Sequence, residues 1–280
     1  MADSNADQIE YWNGPNAEKW VRNQDRMDAT LGAFSDHVMD AAGIVAGDRV
    51  LDIGCGCGGT TLDLARRAAP SGRAVGADIS RPMLAVARGR AAGSGLDVTF
   101  VEADASEHDF GVAGFDLLFS RFGVMFFADP DAAFANLGRA IRPGGRLAMA
   151  CWRPLSENPW MLQPVIVAKN FVELPPRPGP EAPGPFSFAA PDRVRRILTA
   201  GGFTDIALQP VDHPIRMGGS PEEAVTMAME VGPLGSAVAG ADAATRAGLL
   251  AALQDMLAGH AGPDGIALTG AIWCITARKE

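Results

Sequence analysis

The sequence predicts an α/β protein, a mostly parallel sheet between two layers of helices, and three observations carry that expectation. Strand-like apolar runs alternate with helical patterns from residue 49 to residue 151. Parallel strands in that order need right-handed crossover helices, which cover both faces of the sheet. The run Arg49-Val50-Leu51-Asp52-Ile53 ends in a turn holding Gly54, Gly56, Gly58 and Gly59 before a helical pattern opens at Thr60, so a buried strand turns sharply into a helix. Finally, 280 residues suffice for a large core with a substantial appendage.

Each element follows in order. Pro15 stands at a helix start before residues 17–24, and residues 29–42 form a second helical segment. After the first strand, a helix is expected over 60–69, then strands at 73–78, 98–102 and 115–120, and a turn, Arg142-Pro143-Gly144-Gly145, leading into a fifth strand. Residues 153–191 are rich in proline, notably Pro175-Pro176-Arg177-Pro178-Gly179-Pro180, and read as an extended connection. Asp192 reads as the cap of a further helix, Gly201-Gly202 as its stop, and Phe203 as the start of a sixth strand reaching about Pro210. The last strand is expected over 266–277. Roughly fifty residues separate the last two strands, too many for a plain loop. They include helical segments at Pro221–Val231 and 242–259, the second with Asp242 as N-cap and Leu249, Leu250, Leu253, Met256 and Leu257 at helical spacing. The expected domains are therefore a helical cap at 1–44, a core at 45–217 with 266–280, and a helical insertion at 218–265.

The net charge of -9 and the lack of a Lys/Arg run argue against nucleic acid as a partner. The polar, acidic start is unlike a signal peptide, and no apolar run approaches the roughly 18 residues that span a bilayer. A cytoplasmic protein with no membrane partner is expected. Cys55, Cys57, Cys151 and Cys274 complete no four-ligand set, so they read as structural free thiols in a reducing compartment, with no metal.

The glycine turn fits two templates. Gly54, Gly56 and Gly59 satisfy the dinucleotide spacing, whereas Asp52, Gly54, Gly56 and Gly58 satisfy acid-x-Gly-x-Gly-x-Gly. Asp52 favours the second, because a carboxylate is poorly placed for a pyrophosphate but suits a ligand bearing an ammonium and a sulfonium. Residues 50–58 resemble the first motif of the class I S-adenosylmethionine-dependent methyltransferases, with a Rossmann-like fold. The likeness continues at Asp78, ending the second strand, and at Asp104, after the third. It implies that Asp52 meets the donor's ammonium, Asp78 its ribose and Asp104 its adenine, with Gly54, Gly56, Gly58, Ile79, Met83, Ala105 and Ser120 around them. It also implies that an aromatic entry segment holding Tyr11 and Trp20 closes over the donor. A nicotinamide-dependent oxidoreductase and a non-catalytic donor-binding module remain as alternative readings.

The expected acceptor is a small organic molecule. The Asn/Asp-Pro-Pro signature of methyltransferases acting on nucleic-acid amino groups is absent after the fourth strand, where Ser120-Arg121-Phe122-Gly123-Val124-Met125 stands instead. Arg121 would meet an acidic group on the acceptor, or pair with a neighbouring acid. Phe122, Met125, Trp152, Asn158 and Trp160 follow the ends of the fourth and fifth strands and would line an apolar pocket. The insertion would fold over the strand ends as a lid, or form a homodimer interface or a plain cover of the sheet edge. His37, His108, His213 and His260 lie in no pattern that marks a base.

Overall fold

The computed structural model describes residues 5–174, 176, 179–231, 234–238 and 240–280. The chain divides into two compact units, Met1–Trp152 with Pro180–Val211 and Ile272–Glu280, and Arg153–Gly179 with Asp212–Ala271.

In the first unit, helices α1 (Ala6–Asn13), α2 (Pro15–Arg22) and α3 (Gln24–Ala41) precede β1 (Arg49–Ile53). There follow α4 (Gly59–Ala68), β2 (Arg73–Asp78), α5 (Arg81–Ala91), β3 (Val98–Glu102), β4 (Phe115–Arg121), α6 (Pro130–Ala140) and β5 (Ile141–Trp152). The later elements of the chain are α7 (Pro159–Ala168), α8 (Pro191–Ala200), β6 (Phe203–Gly218), α9 (Pro221–Val231), α10 (Leu234–Ala237), α11 (Ala243–Ala258), β7 (Ala261–Gly262) and β8 (Gly265–Lys279). The sheet runs β3-β2-β1-β4-β5-β8-β6, with the two-residue β7 paired to β8. Strands β1 to β5 pair in parallel and β8 runs antiparallel to β5. The fold class is the expected one, a seven-strand, mostly parallel sheet.

Strand β1 buries Val50, Leu51, Asp52 and Ile53 in succession, and β4 buries Leu117 to Ser120 likewise. Such unbroken burial arises because helices cover both faces of the parallel strands. Helix α6 begins where Asp129 accepts the Ala132 N–H at 3.0 Å and Pro130 occupies the first turn.

Within the second unit, α11 packs on α7 and α9. Asp242 caps α11 through the Thr245 N–H at 2.8 Å, and Leu249, Leu253 and Leu257 form its buried face. Asn158 is fully buried, accepting the Ala271 N–H at 2.8 Å and donating to the Ala271 carbonyl at 3.1 Å. It ties the start of α7 to β8.

Several expectations are corrected. Residues 159–168 of the supposed extended connection form α7, because Pro159 sits in its first turn, where the missing N–H costs nothing. Of the proline run, residues 175, 177 and 178 lie outside the described residues. Strand β6 continues past Pro210 to Gly218. Asp192 lies inside α8, whose N-cap is Ala190. Helix α1, with no residue completely enough covered to betray an apolar stripe, was not foreseen.

One joint fixes the sheet's central turns. The Ser120 hydroxyl donates to the Ile53 carbonyl at 2.8 Å and accepts the Gly123 N–H at 3.2 Å. A Cβ on Gly54 would lie 2.5 Å from Gly123 Cα, and one on Gly123 2.6 Å from the Ile53 oxygen. Only glycine allows this approach, so Gly123→Ala should lower stability by about 2–3 kcal/mol through overpacking, read as a reduced denaturation midpoint at unchanged slope.

Candidate cofactor site and active site

The strand ends carry three carboxylates in three different settings. Asp52 is fully buried; its Oδ2 accepts from the Thr60 and Thr61 hydroxyls, each at 2.7 Å. Its Oδ1 is buried and has no hydrogen-bond partner among the described residues. Burial pushes the carboxyl up to about 6, against the pull of the threonine hydroxyls and of the Arg121 charge. Asp78 accepts the Gly56 N–H at 2.7 Å through Oδ2 and the Ser80 N–H at 2.8 Å through Oδ1, so it closes the glycine turn from below. Its carboxyl is also raised by burial. Asp104 accepts from the Ser106 N–H and hydroxyl at 2.9 and 2.7 Å, and from Asn5 at 3.1 Å.

Gly56 has φ +54°, and a Cβ there would meet only Met83 Sδ, at 3.7 Å. The turn thus presents open backbone at Gly56, whereas Gly54 is held by packing and Gly58 forms the left-handed N-cap of α4. Met83, Cys57 and Ala17 form a buried cluster flanked by Trp12 and Trp20. The Ile79 carbonyl accepts from Asn13, and that of Ala105 from Asn136. The Ser120 hydroxyl is committed to the joint with Ile53 and Gly123. Tyr11 is half-exposed and meets Trp12 edge-on at 5.1 Å; Trp12 in turn meets Phe126 at 5.2 Å.

Arg121 reaches toward α3. It donates to the Ser35 hydroxyl at 3.0 Å and pairs with Asp28 at 3.3 Å, and Asp28 also pairs with Arg90 at 2.9 Å. The ion-pair alternative for Arg121 is therefore realised. Asp28, Ser35, Gly59, Thr60, Arg90 and Arg121 help line a pocket of about 190 Å³. Asp28 and Ser35 were not singled out in the sequence, since an acid on an amphipathic helix looks like a solvated face.

Phe122 has φ +66° and stacks on Trp152 with centroids 4.2 Å apart and planes 5° apart; Phe34 meets Trp152 edge-on at 5.8 Å. Met125 is buried, and its carbonyl accepts from Gly184 and Ser187. Asn158 and Trp160 belong to the second unit, Asn158 as the tie described above and Trp160 as a buried residue of α7. Of the histidines, His108 and His260 are exposed and His37 and His213 half-buried.

The Asp52 carboxyl has a pH signature. Its folded value lies above the ordinary one, so the folded state holds the proton more tightly than the unfolded chain. Its contribution is fully present only below about pH 4 and is lost as pH rises from there through about 6. Asp52→Asn should remove that loss, so the ligand-free variant should gain roughly 2 kcal/mol relative to wild type between pH 4 and pH 7, measured by denaturant unfolding at both values.

Residues 50–145 match the family model described as a methyltransferase domain. The chain is 35% identical over 167 residues to a demethylmenaquinone methyltransferase of Thermus thermophilus, spanning 56% of this chain and 74% of that protein. It is 34% identical over 139 residues to the ubiquinone/menaquinone biosynthesis C-methyltransferase UbiE of Pseudomonas aeruginosa, 49% of this chain and 54% of that one. It thus spans about three quarters of the first relative's length and about half of the second's. A solved phosphoethanolamine N-methyltransferase 2 of Haemonchus contortus, in complex with S-adenosyl-L-methionine, matches 88% of this chain and 52% of its own with a TM-score of 0.53 at 22% identity, a likeness of fold. Among the described residues no helix is long and apolar enough to cross a membrane. The acid-tipped strand ends, the glycine turn and these relatives together set aside the nicotinamide reading: the chain belongs to the class I S-adenosylmethionine-dependent methyltransferases acting on small molecules.

Proposed function

We propose that the strand ends of the first unit hold the methyl donor and pass its methyl to a largely apolar, ring-bearing acceptor with an acidic hydroxyl, such as a hydroquinone or phenol. The observation that carries the donor assignment is Asp52 Oδ1, buried without a partner. An unpaired buried carboxylate oxygen is costly, and an ammonium beside it supplies both charge and hydrogen bonds. The residues fit the donor: Asp52 meets the ammonium, Asp78 the ribose hydroxyls through its unused lone pairs, and Asp104 the adenine amine. Arg121 is better suited to the donor's carboxylate than to the acceptor, because its guanidinium lines the polar pocket beside Thr60 and acts on the Asp52 charge.

When bound, the donor would supply an electrophilic methyl on a sulfonium; in-line attack by the phenolate that forms when the acidic hydroxyl gives its proton to solvent would form the new bond to methyl and release a neutral thioether. Such a transfer depends mainly on orientation and exclusion of water. Buried Asp52 keeps its charge once an ammonium pairs with it, and the ion pairs of Arg121 and Arg90 with Asp28 hold α3 against the turn. The aromatic group Phe122, Trp152 and Phe34 supports a flat acceptor. The two relatives' names, both for quinone-type substrates, support the same class. Four buried free thiols support a cytoplasmic location, where thiols stay reduced.

Calorimetry should detect S-adenosylmethionine and S-adenosylhomocysteine but no NAD. Asp78→Ala should weaken donor binding by about 1.5–3 kcal/mol, the range for a hydrogen bond to a charged group. Incubation with labelled donor and a panel of demethylated quinols and phenols should give products heavier by one methyl. Tight NAD binding without donor binding would overturn the assignment. A further expectation separates the roles of Arg121: Arg121→Ala should raise the donor Kd about tenfold, and an unchanged Kd with a collapsed kcat/KM would return it to the acceptor.

A further inference from the structure

Helix α1 is fastened at both ends by asparagine side chains. Asn5, 6% exposed, donates to Asp104 Oδ1 at 3.1 Å and accepts the Ala128 N–H at 2.9 Å. Asn13 donates to the Ile79 carbonyl at 2.9 Å and accepts the Arg81 N–H at 3.0 Å. The helix thus bridges the turns after β2 and β3, the two that follow Asp78 and precede Ser106. Its rotation is set by Trp12, which meets Phe126 at 5.2 Å and Trp20 at 6.1 Å.

Residues three and four apart share a helix face, so Gln8 lies on the face of Asn5 and Trp12, while Asp7 and Glu10 are exposed. Between the two fastenings, Gln8 Oε1 is buried and has no hydrogen-bond partner among the described residues. A buried amide oxygen without a partner destabilises the fold, and an apolar side chain would cover the same surface without that cost. An unpaired acceptor on the helix face of Asn5, whose amide meets Asp104, calls for a donor group from outside the protein.

We propose that Gln8 is a ligand-binding residue whose buried carbonyl oxygen accepts a hydrogen bond from the adenosine part of the methyl donor, with Asn5 and Asn13 as the residues that position it. This rests on the donor assignment made above. Adenosine offers hydroxyl and amine donors, the groups that Asp78 and Asp104 are placed to accept from, and Gln8 adds a neutral acceptor from α1.

The test is Gln8→Leu, which keeps bulk and removes the acceptor. Calorimetry with S-adenosylmethionine, S-adenosylhomocysteine and 5′-methylthioadenosine should show Kd raised by a similar factor, about tenfold, for all three, since all share the adenosine. The melting temperature of the ligand-free variant should equal or exceed that of wild type. Unchanged Kd values would overturn the proposal, as would a loss confined to the two ligands that carry the amino-acid end. A drop of several degrees in ligand-free melting would make Gln8 structural. If wild type itself binds none of the three, the donor assignment fails; normal wild-type binding with an indifferent leucine variant removes only the role of Gln8.

Discussion

The near contact of two backbones, at Gly54 and Gly123, is the constraint on which the site depends. A Cβ at either would fall within 2.7 Å of the other's Cα, so the turn after β1 and the turn after β4 can interlock only without side chains. The Ser120 hydroxyl joins the same two turns by bonding Ile53 and Gly123. Phe122 takes a left-handed conformation between them, an arrangement a bulky residue adopts only where its surroundings hold it. The consequence is a division of labour between adjacent residues: Arg121 reaches α3 and the polar pocket, whereas Phe122 lies flat on Trp152.

The three acids at the strand ends sit in three different settings. Each stands at the C-terminal edge of a parallel strand, where ligands of open α/β sheets bind, and each is treated differently by its neighbours. Asp104 is well solvated by protein donors, Asp78 is bound on both oxygens by backbone N–H groups, and Asp52 retains one bare buried oxygen. The graded supply of donors leaves the largest deficit at Asp52, the acid on which the proposed donor assignment rests. Asp116 is the contrast: Arg49 and Arg142 hold its carboxyl well below the usual range at the opposite, N-terminal end of β4.

The N-terminal helices belong to the same economy of contacts. Asp28 on α3 gathers Arg90 and Arg121, and a Cβ on Gly59 would sit 2.8 Å from its carboxylate, so α3 lies directly over the start of α4. Helix α1 uses no buried apolar stripe; two asparagine side chains and Trp12 hold it. A helix held by a few hydrogen bonds opens at lower cost than one held by a core.

The order of β1 to β5, the glycine turn and the strand-end positions of Asp52, Asp78 and Asp104 are legible in the chain, because these rest on local periodicity and on residue types confined to a few positions. The amphipathic α11 and its cap at Asp242 were legible for the same reason. The tertiary structure alone decided the partners of Arg121, the burial of Asn158 as a tie to Ala271, the existence of α1 and the placing of Gln8. Their determinants are contacts such as Asn5 with Asp104, 99 residues apart, and Arg121 with Asp28, 93 apart. A polar side chain on a short helix carries no pattern of its own; what it meets depends on which distant turn the fold brings beneath it.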